Sequence, residues 1–411
     1  MPATSSAQAA MAMPTSSADI IKNGEASLMY VVTRPGRVMV RGKGSYLWDA
    51  EGKQYLDFIQ GWAVNCLGHC PPALVKAVSQ QAKQLVNASP ALYNDRMVDL
   101  AKLLTDNSVL DKVFFANSGA EANEGAIKLA RKWGAVKKGG AHEIITTWNG
   151  FHGRTLATMS ASGKQHWDQL YEPKVSGFVR VPFNDLDAVK KAIVPGKTVA
   201  IMLEPVQGEA GVYVADKKYM EGIRKLCDEH GLLLILDEIQ TGIGRCGTLF
   251  AYEQYGVEPD IMTLAKGLGG GFPVSALMAK DAVCVFEQGD QGGTFCAQPL
   301  AMAASYAVVS EVINKKLPQK ALSRGKYLMR KLKELKTEFG LTDVRGKGLL
   351  VAVDLPKEKG ADVVAQCFDK GLLINAPRPA TLRFMPALNI GNAQVDEMID
   401  ILRPVLQKAL A

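Results

Sequence analysis

Lys266 stands between a short strand-forming run, Ile261-Met262-Thr263-Leu264, and the stretch Gly267-Leu268-Gly269-Gly270-Gly271-Phe272-Pro273. A lysine beside glycines invites a phosphate-loop reading. Here the lysine precedes the glycines and no Ser or Thr follows it, so the Walker pattern fails. The dinucleotide pattern G-x-G-x-x-G fails too, because Phe272 takes its sixth position. What remains is an amine on a strand end with open space around it. In such a place a lysine can act as a nucleophile toward a carbonyl and form a Schiff base. A surface lysine is the ordinary alternative, and the apolar, glycine-rich surroundings argue against it.

Other polar groups fall at comparable points. Asp237 follows the apolar run Leu232-Leu233-Leu234-Ile235-Leu236. A carboxylate there can face a ligand, since open α/β sheets bind ligands beyond the carboxyl ends of their strands; taken by itself, Asp237 reads first as a helix cap or a satisfied loop carboxylate. Asn117-Ser118-Gly119-Ala120-Glu121-Ala122-Asn123 joins an apolar strand to a helix. Gly119 and Ala120 there offer backbone N–H groups to an anion, while a plain cap by Ser118 stands level with that reading. Phe151-His152-Gly153-Arg154-Thr155 supplies a loop aromatic able to stack on a flat ring and an arginine able to grip a carboxylate. Glu204-Pro205-Val206-Gln207-Gly208-Glu209 adds acids after the strand that begins at Val199.

The elements that must position these groups are legible from periodicity. Arg37 to Phe58 reads as a β-meander, followed by a helix from Pro72 to Val86. From Val113 to Ala279 apolar strand-like runs alternate with helical patterns, which predicts an α/β sheet with covered faces. Helices follow from Pro299 to Asn314 and from Lys320 to Phe339. Strands at Leu349–Val353, Gly371–Ile374 and Leu382–Met385 and a closing helix from Asn392 then predict a smaller α+β unit.

Composition bounds the rest. A chain of 411 residues suits two domains, and 47% hydrophobic with 22% charged residues is ordinary for a globular enzyme. The net charge of +7 favours anionic substrates. Its densest run, Lys315 to Lys336, alternates with Leu328, Leu332 and Leu335 and predicts a solvated helix face. Without interleaved aromatics or a docking motif, no nucleic-acid partner is expected. Seven scattered cysteines imply no disulfide framework and a cytoplasmic setting. Cys66, His69 and Cys70 lack the second half of a metal set, so no metal is expected. Residues 1–18, rich in Ala, Ser and Pro, read as a disordered tail without signal-peptide features. No apolar run is long enough to span a membrane.

Taken in order, N-S-G-A-E-A-N, F-H-G-R-T, E-P-V-Q-G-E, L-D-E-I-Q-T-G-I-G-R, A-K-G-L-G-G-G and L-R-F-M-P resemble the motifs of the fold-type I, class III aminotransferases, from about residue 25 onward. The resemblance implies pyridoxal 5'-phosphate as cofactor. It also implies a large α/β domain with a mainly parallel seven-stranded sheet covered by helices, and a smaller α+β domain from both chain ends. The chain then divides into the tail, an N-terminal segment of the small domain (19–70), the cofactor domain (71–304) and the rest of the small domain (305–411). By resemblance Lys266 is the Schiff-base lysine and Asp237 the carboxylate paired with the pyridine nitrogen. Ser118, Gly119 and Ala120 form the phosphate turn, Phe151 stacks on the ring, and Glu238, Ile239 and Gln240 line the cofactor, Gln240 near its phenolic oxygen. Thr294 would come from the neighbouring subunit of a homodimer with shared active sites.

Within the family the resemblance is strongest to the branch acting on N-acetylornithine, with 2-oxoglutarate as acceptor and glutamate as product. Gly61-Trp62-Ala63-Val64-Asn65 is similar to its substrate loop, and Arg154 and Gly293 take the places of substrate contacts. Glu209 and Arg383 take the places of a carboxylate and an arginine that pair and separate as the two substrates alternate. Succinylornithine, ornithine and other ω-amines are the alternative donors, and a nucleotide-binding regulatory protein is a remote alternative. The sequence departs from the family pattern at Cys296-Ala297-Gln298, where Gly-Gly-Asn is usual, at Pro71, where His is common, and at Gly293, where Ser is frequent.

Overall fold

The computed structural model describes residues 16–411. Residues 1–15 of the expected tail lie outside them. The end of that stretch is ordered: the Ser16 hydroxyl accepts from Asp19 N at 3.2 Å and caps a helix over Ser17–Ser27. A serine at this position satisfies an otherwise orphaned helical N–H, which is why the chain turns helical earlier than composition suggested.

The central sheet has seven strands: β1 Lys112–Ala116, β2 Glu143–Thr147, β3 Phe178–Val181, β4 Thr198–Leu203, β5 Leu233–Asp237, β6 Ile261–Leu264 and β7 Ser275–Ala279. Their order is β1-β7-β6-β5-β4-β2-β3. Only β7 runs against its neighbours β6 and β1; all other pairs are parallel. Six strands therefore deliver their carboxyl ends to one edge of the sheet. Strands β4, β5, β6 and β7 are buried along their whole length, as strands covered on both faces must be. Alternation then divides the core. Ile201, Leu203, Leu234 and Leu236 join one apolar cluster, while Ala200, Met202, Leu233 and Ile235 join another across the sheet.

The meander Met39–Lys43, Tyr46–Asp49 and Gln54–Asp57 ends against Leu372–Leu373, which pairs parallel to the last of its strands. The chain ends are thus stitched together. A second antiparallel sheet holds Asp343–Lys347, Leu350–Asp354, Thr381–Phe384 and Asn375–Arg378 in that order. The helix Leu317–Phe339 buries Leu328, Leu332 and Leu335 while its lysines face outward, as the charge run predicted. The helix Pro299–Asn314 runs unbroken through the boundary expected at 304/305. It stays intact because it packs on Pro72–Gln81 and Asp95–Thr105. Strand β3 and the helix Asp95–Thr105 were not among the expected elements. β3 is a half-buried edge strand interrupted by Arg180, so its periodicity is weak.

Candidate active site

Asp237 is the last residue of β5, and its carboxylate is almost fully buried. The Oδ2 atom accepts from Asn123 Nδ2 at 2.8 Å and faces His152 Nδ1 at 2.8 Å. The Oδ1 atom accepts from Ile239 N at 3.1 Å. Thr263 in β6 donates to Asn123 Oδ1 at 2.7 Å and so fixes which way that amide points. Burial alone would strip the His152 proton, but the Asp237 carboxylate outweighs it and holds the imidazole above its ordinary pKa. The result is a carboxylate oriented by contacts to Asn123, His152 and Ile239.

Glu204 follows β4 and accepts from Phe151 N at 2.9 Å. Burial, with the Asp237 charge adding to it, pushes the Glu204 carboxyl up to about 7. Neither Asn123, His152 nor Glu204 was singled out from sequence, although all three lie inside the motifs. Asn123 had one readable signal, since it sits four residues after Gly119 and so shares its helix face.

Lys266 opens a single 3₁₀ turn after β6 and takes a left-handed backbone, φ +40°. A non-glycine residue held there is strained, and such strain collects at functional sites. Burial lowers the ammonium pKa despite the opposing charges of Glu209, Asp237 and Glu204. Lys266, Asp237, Phe151 and Gln240 line one cavity of about 480 Å³, together with Ser118, Gly119, Ala120, Arg154 and Ile239.

At one end of this cavity begins the helix Gly119–Lys137. Ser118 and Glu121 form a reciprocal cap, Glu121 Oε2 accepting from Asn117 N at 2.9 Å and from Ser118 N at 2.7 Å. The cap and the anion site thus coexist. The helix itself offers no acceptor to the N–H groups of Gly119 and Ala120, which remain for a phosphate. A Cβ on Gly119 would lie 2.8 Å from Ile239 Cδ1, so glycine keeps the helix end seated against the turn that follows β5. Gln240 carries two buried amide atoms, Nε2 and Oε1, with no partner among the described residues. It reaches the cavity only because Gly208 has no side chain: a Cβ there would stand 1.6 Å from Gln240 Oε1. These groups fit a flat, protonatable ring bearing a phosphate and an oxygen substituent.

Arg383 is fully buried, and its Nη1 meets Glu209 Oε1 at 2.8 Å and Gly208 O at 2.8 Å, while Nε donates to Asn375 Oδ1 at 2.9 Å. Its Nη2 has no partner among the described residues. Burial would raise the Glu209 pKa, but Arg383 and Lys266 together hold it below the usual value. Ahead of these groups, Gln60, Gly61, Trp62 and Ala63 all adopt positive φ. This left-handed turn leads into Val64, on the cavity wall.

Several expected residues lie elsewhere. Glu238 turns away from the cavity and accepts from Ala251 N, Tyr252 N and Thr241 Oγ1. Gly293 and Thr294 sit on an exposed segment and do not line the cavity of their own chain. The departures there are coupled: a Cβ on Gly293 would lie 2.8 Å from Cys296 Sγ. The cysteine thus fills the room that a serine at 293 would need. Ala297 takes φ +56°, and Asn94 Nδ2 donates to its carbonyl at 3.0 Å. His69 pairs with Asp57 at 2.8 Å, and the Cys66 thiol donates to Gly267 O at 3.2 Å. Both are therefore engaged in structural contacts.

The chain matches the family Aminotransferase class-III over residues 30–406. It is 54% identical over 383 residues to acetylornithine aminotransferase 2 of Bordetella bronchiseptica, covering 92% of this chain and 96% of that protein. Among solved structures it is similar to the ornithine aminotransferase of Toxoplasma gondii, with TM-score 0.92 and 30% identity, covering 96% of this chain and 95% of that one. It is also similar to the acetylornithine aminotransferase of Elizabethkingia anophelis, with TM-score 0.85 and 34% identity, covering 95% of this chain and 99% of that one.

Proposed function

The chain belongs to the class-III aminotransferases, and from that premise we infer that it moves the terminal amino group of N-acetylornithine to 2-oxoglutarate, giving N-acetylglutamate semialdehyde and glutamate in arginine biosynthesis. The observation that carries this reading is the convergence of Lys266, Asp237, Gln240 and the Gly119–Ala120 turn on one cavity, in a chain so similar to an acetylornithine enzyme.

Pyridoxal phosphate, when bound, supplies an electron-poor ring that takes up the electron pair of a breaking C–H bond. Lys266 Nζ would hold it covalently, and Gly119 and Ala120 N–H would hold its phosphate. The Asp237 carboxylate would face the ring nitrogen. Phe151 would flank the ring and Gln240 would meet its oxygen. Once released, the Lys266 amine takes the proton from the terminal carbon of the donor and returns one later. Its lowered pKa leaves more free amine for this at neutral pH. Donor and acceptor use the same groups in turn, so the kinetics are ping-pong.

Turnover of acetylornithine, succinylornithine, ornithine and 4-aminobutyrate with 2-oxoglutarate tests the assignment. The expected order places acetylornithine first in kcat/KM. A clear preference for ornithine or 4-aminobutyrate overturns it.

Acetylornithine brings an uncharged carbon to the reacting end, whereas glutamate brings a carboxylate there. The Arg383–Glu209 pair suits the first, and an opened pair, with Arg383 free, suits the second. The unpartnered Nη2 of Arg383 supports such an exchange. Arg154 would hold the distal carboxylate in both. In Glu209→Ala, Arg383 meets acetylornithine unpaired, which costs about 3 kcal/mol, or on the order of 10²-fold in rate. The acetylornithine half-reaction should slow by that amount, the glutamate half-reaction much less, and α-amino donors should gain. Equal slowing of both in single-turnover kinetics means that the pair is a static bridge.

The active unit is a homodimer in this reading. Tyr30, Leu92, Tyr93 and Phe295 are exposed, Tyr93 by 91%, and such apolar residues support a buried partner face. Phe295 adjoins Thr294, the residue expected to cross to the neighbouring site. All seven cysteines are free thiols, which supports a cytoplasmic setting. No helix among the described residues is long and apolar enough to cross a membrane.

A further inference from the structure

Lys164 belongs to no motif used above. It follows the helix Leu156–Ala161 and leans over two aromatic rings. Its Nζ lies 4.8 Å from the centroid of Phe151 and 5.0 Å from that of Trp167. The Arg154 guanidinium lies over the same Trp167 ring, at 5.7 Å. Phe151 and Arg154 both line the cavity, so Lys164 stands at its rim.

The charges at this rim do not balance. Among the described residues, neither Lys164 nor Arg154 has an ion-pair partner. Arg378, the next cation felt by Lys164, donates only to neutral oxygens, at Ala210 O and Asn149 Oδ1. The nearby carboxylate of Glu209 is committed to Arg383. Burial, with the repulsion of Arg378 and Arg154, lowers the Lys164 pKa against the pull of Glu209 and Glu204. Aromatic faces stabilise such cations only in part. Lys164 and Arg378 are half-buried and Arg154 is exposed; an incoming carboxylate would give these cations the partner they lack.

We propose that Lys164 acts with Arg154 to bind the carboxylate of the substrate remote from the reacting carbon, making Lys164 a specificity-determining residue for carboxylate-bearing substrates. The proposal rests on the aminotransferase reading above. Both substrates in that reading have such a carboxylate. Lys164 would therefore serve both half-reactions, unlike Glu209, whose contribution differs between them. An ammonium approaching over the ring edge and a planar guanidinium can share one carboxylate, each meeting a different oxygen.

Calorimetric titration of the holoenzyme with glutarate, an unreactive dicarboxylate of the same carbon length as 2-oxoglutarate, reads this contact directly. Lys164→Met keeps the stem over the rings and removes the charge. It should weaken glutarate about tenfold, the scale of one charge-assisted hydrogen bond. Lys164→Arg should recover most of that loss. In turnover, KM should rise for both acetylornithine and 2-oxoglutarate, with a much smaller change in kcat. Unchanged glutarate affinity in Lys164→Met overturns the proposal. So does an effect confined to the 2-oxoglutarate half-reaction, which would mean that Lys164 instead receives Glu209 when that side chain leaves Arg383. Should Lys164→Met fail to fold, the comparison of wild type with Lys164→Gln decides in the same way. A wild-type enzyme that ignores acetylornithine refutes the functional reading alone, and the glutarate titration still decides the role of Lys164.

Discussion

Lys266→Ala should abolish transamination in both half-reactions, with single-turnover rates falling by about 10⁴-fold, the upper range for loss of a positioned acid–base group. The expectation rests on position as much as on chemistry. The side chain projects from a turn with φ +40°, at the end of a strand buried on both faces, so no other amine can take its place. Burial has already lowered its pKa, and Lys164, whose Nζ lies over the Phe151 ring at the cavity rim, is not on the wall shared with Asp237. A second readout is independent of turnover. Borohydride reduction of the wild-type holoenzyme should leave cofactor mass on the peptide containing Lys266, and the alanine variant should show none. Retained mass together with retained turnover would remove Lys266 from the role assigned to it.

Asp237→Asn should be nearly as damaging for a reason visible in the hydrogen bonds. Three donors converge on this carboxylate: Asn123 Nδ2 and His152 Nδ1 on one oxygen, Ile239 N on the other. An amide can present an oxygen to only one side. Either rotamer then aims its NH₂ at an existing donor, and Thr263 prevents Asn123 from flipping to compensate. In the proposed reading, the carboxylate meant to face the ring nitrogen would be lost as well. Removing one partner of a buried ion pair costs about 3–5 kcal/mol. If that loss appears in the transition state, rates fall by roughly 10²- to 10⁴-fold. Both half-reactions should slow alike, since both need the ring as an electron acceptor, and this separates the Asp237 variant from Glu209→Ala. A variant within threefold of wild type in single-turnover rate would show that the charge is dispensable.

The sheet edge was legible in the sequence because local rules determine it, and the class of chemistry was legible only through the family motifs. Uninterrupted apolar runs such as Leu232–Leu236 can only be strands covered on both faces. The polar residue ending such a run must sit at the sheet edge, which is how Asp237 and Lys266 declare themselves. The alternation of strand and helix predicted a covered α/β sheet, and the family motifs predicted its seven mainly parallel strands. Helix starts with capping residues were equally local, as at Ser118.

Only the tertiary structure decided which polar groups share a partner, because those contacts join residues far apart in the chain. Asn123 and His152 reach Asp237 from a helix and a loop, and Thr263 of the adjacent strand holds Asn123 in place. Glu238 was expected at the cofactor from the resemblance, yet it faces the other way and holds the N–H groups of Ala251 and Tyr252. Successive side chains at a strand end point to opposite sides, and sequence alone cannot say which side has the unsatisfied donors. Gly293 and Cys296 looked like separate departures until their side-chain volumes were seen to exclude each other. The charge imbalance around Lys164 is of the same kind. A sequence reports how many cations a chain carries, but whether each has a carboxylate within reach depends on distances that only the folded chain sets.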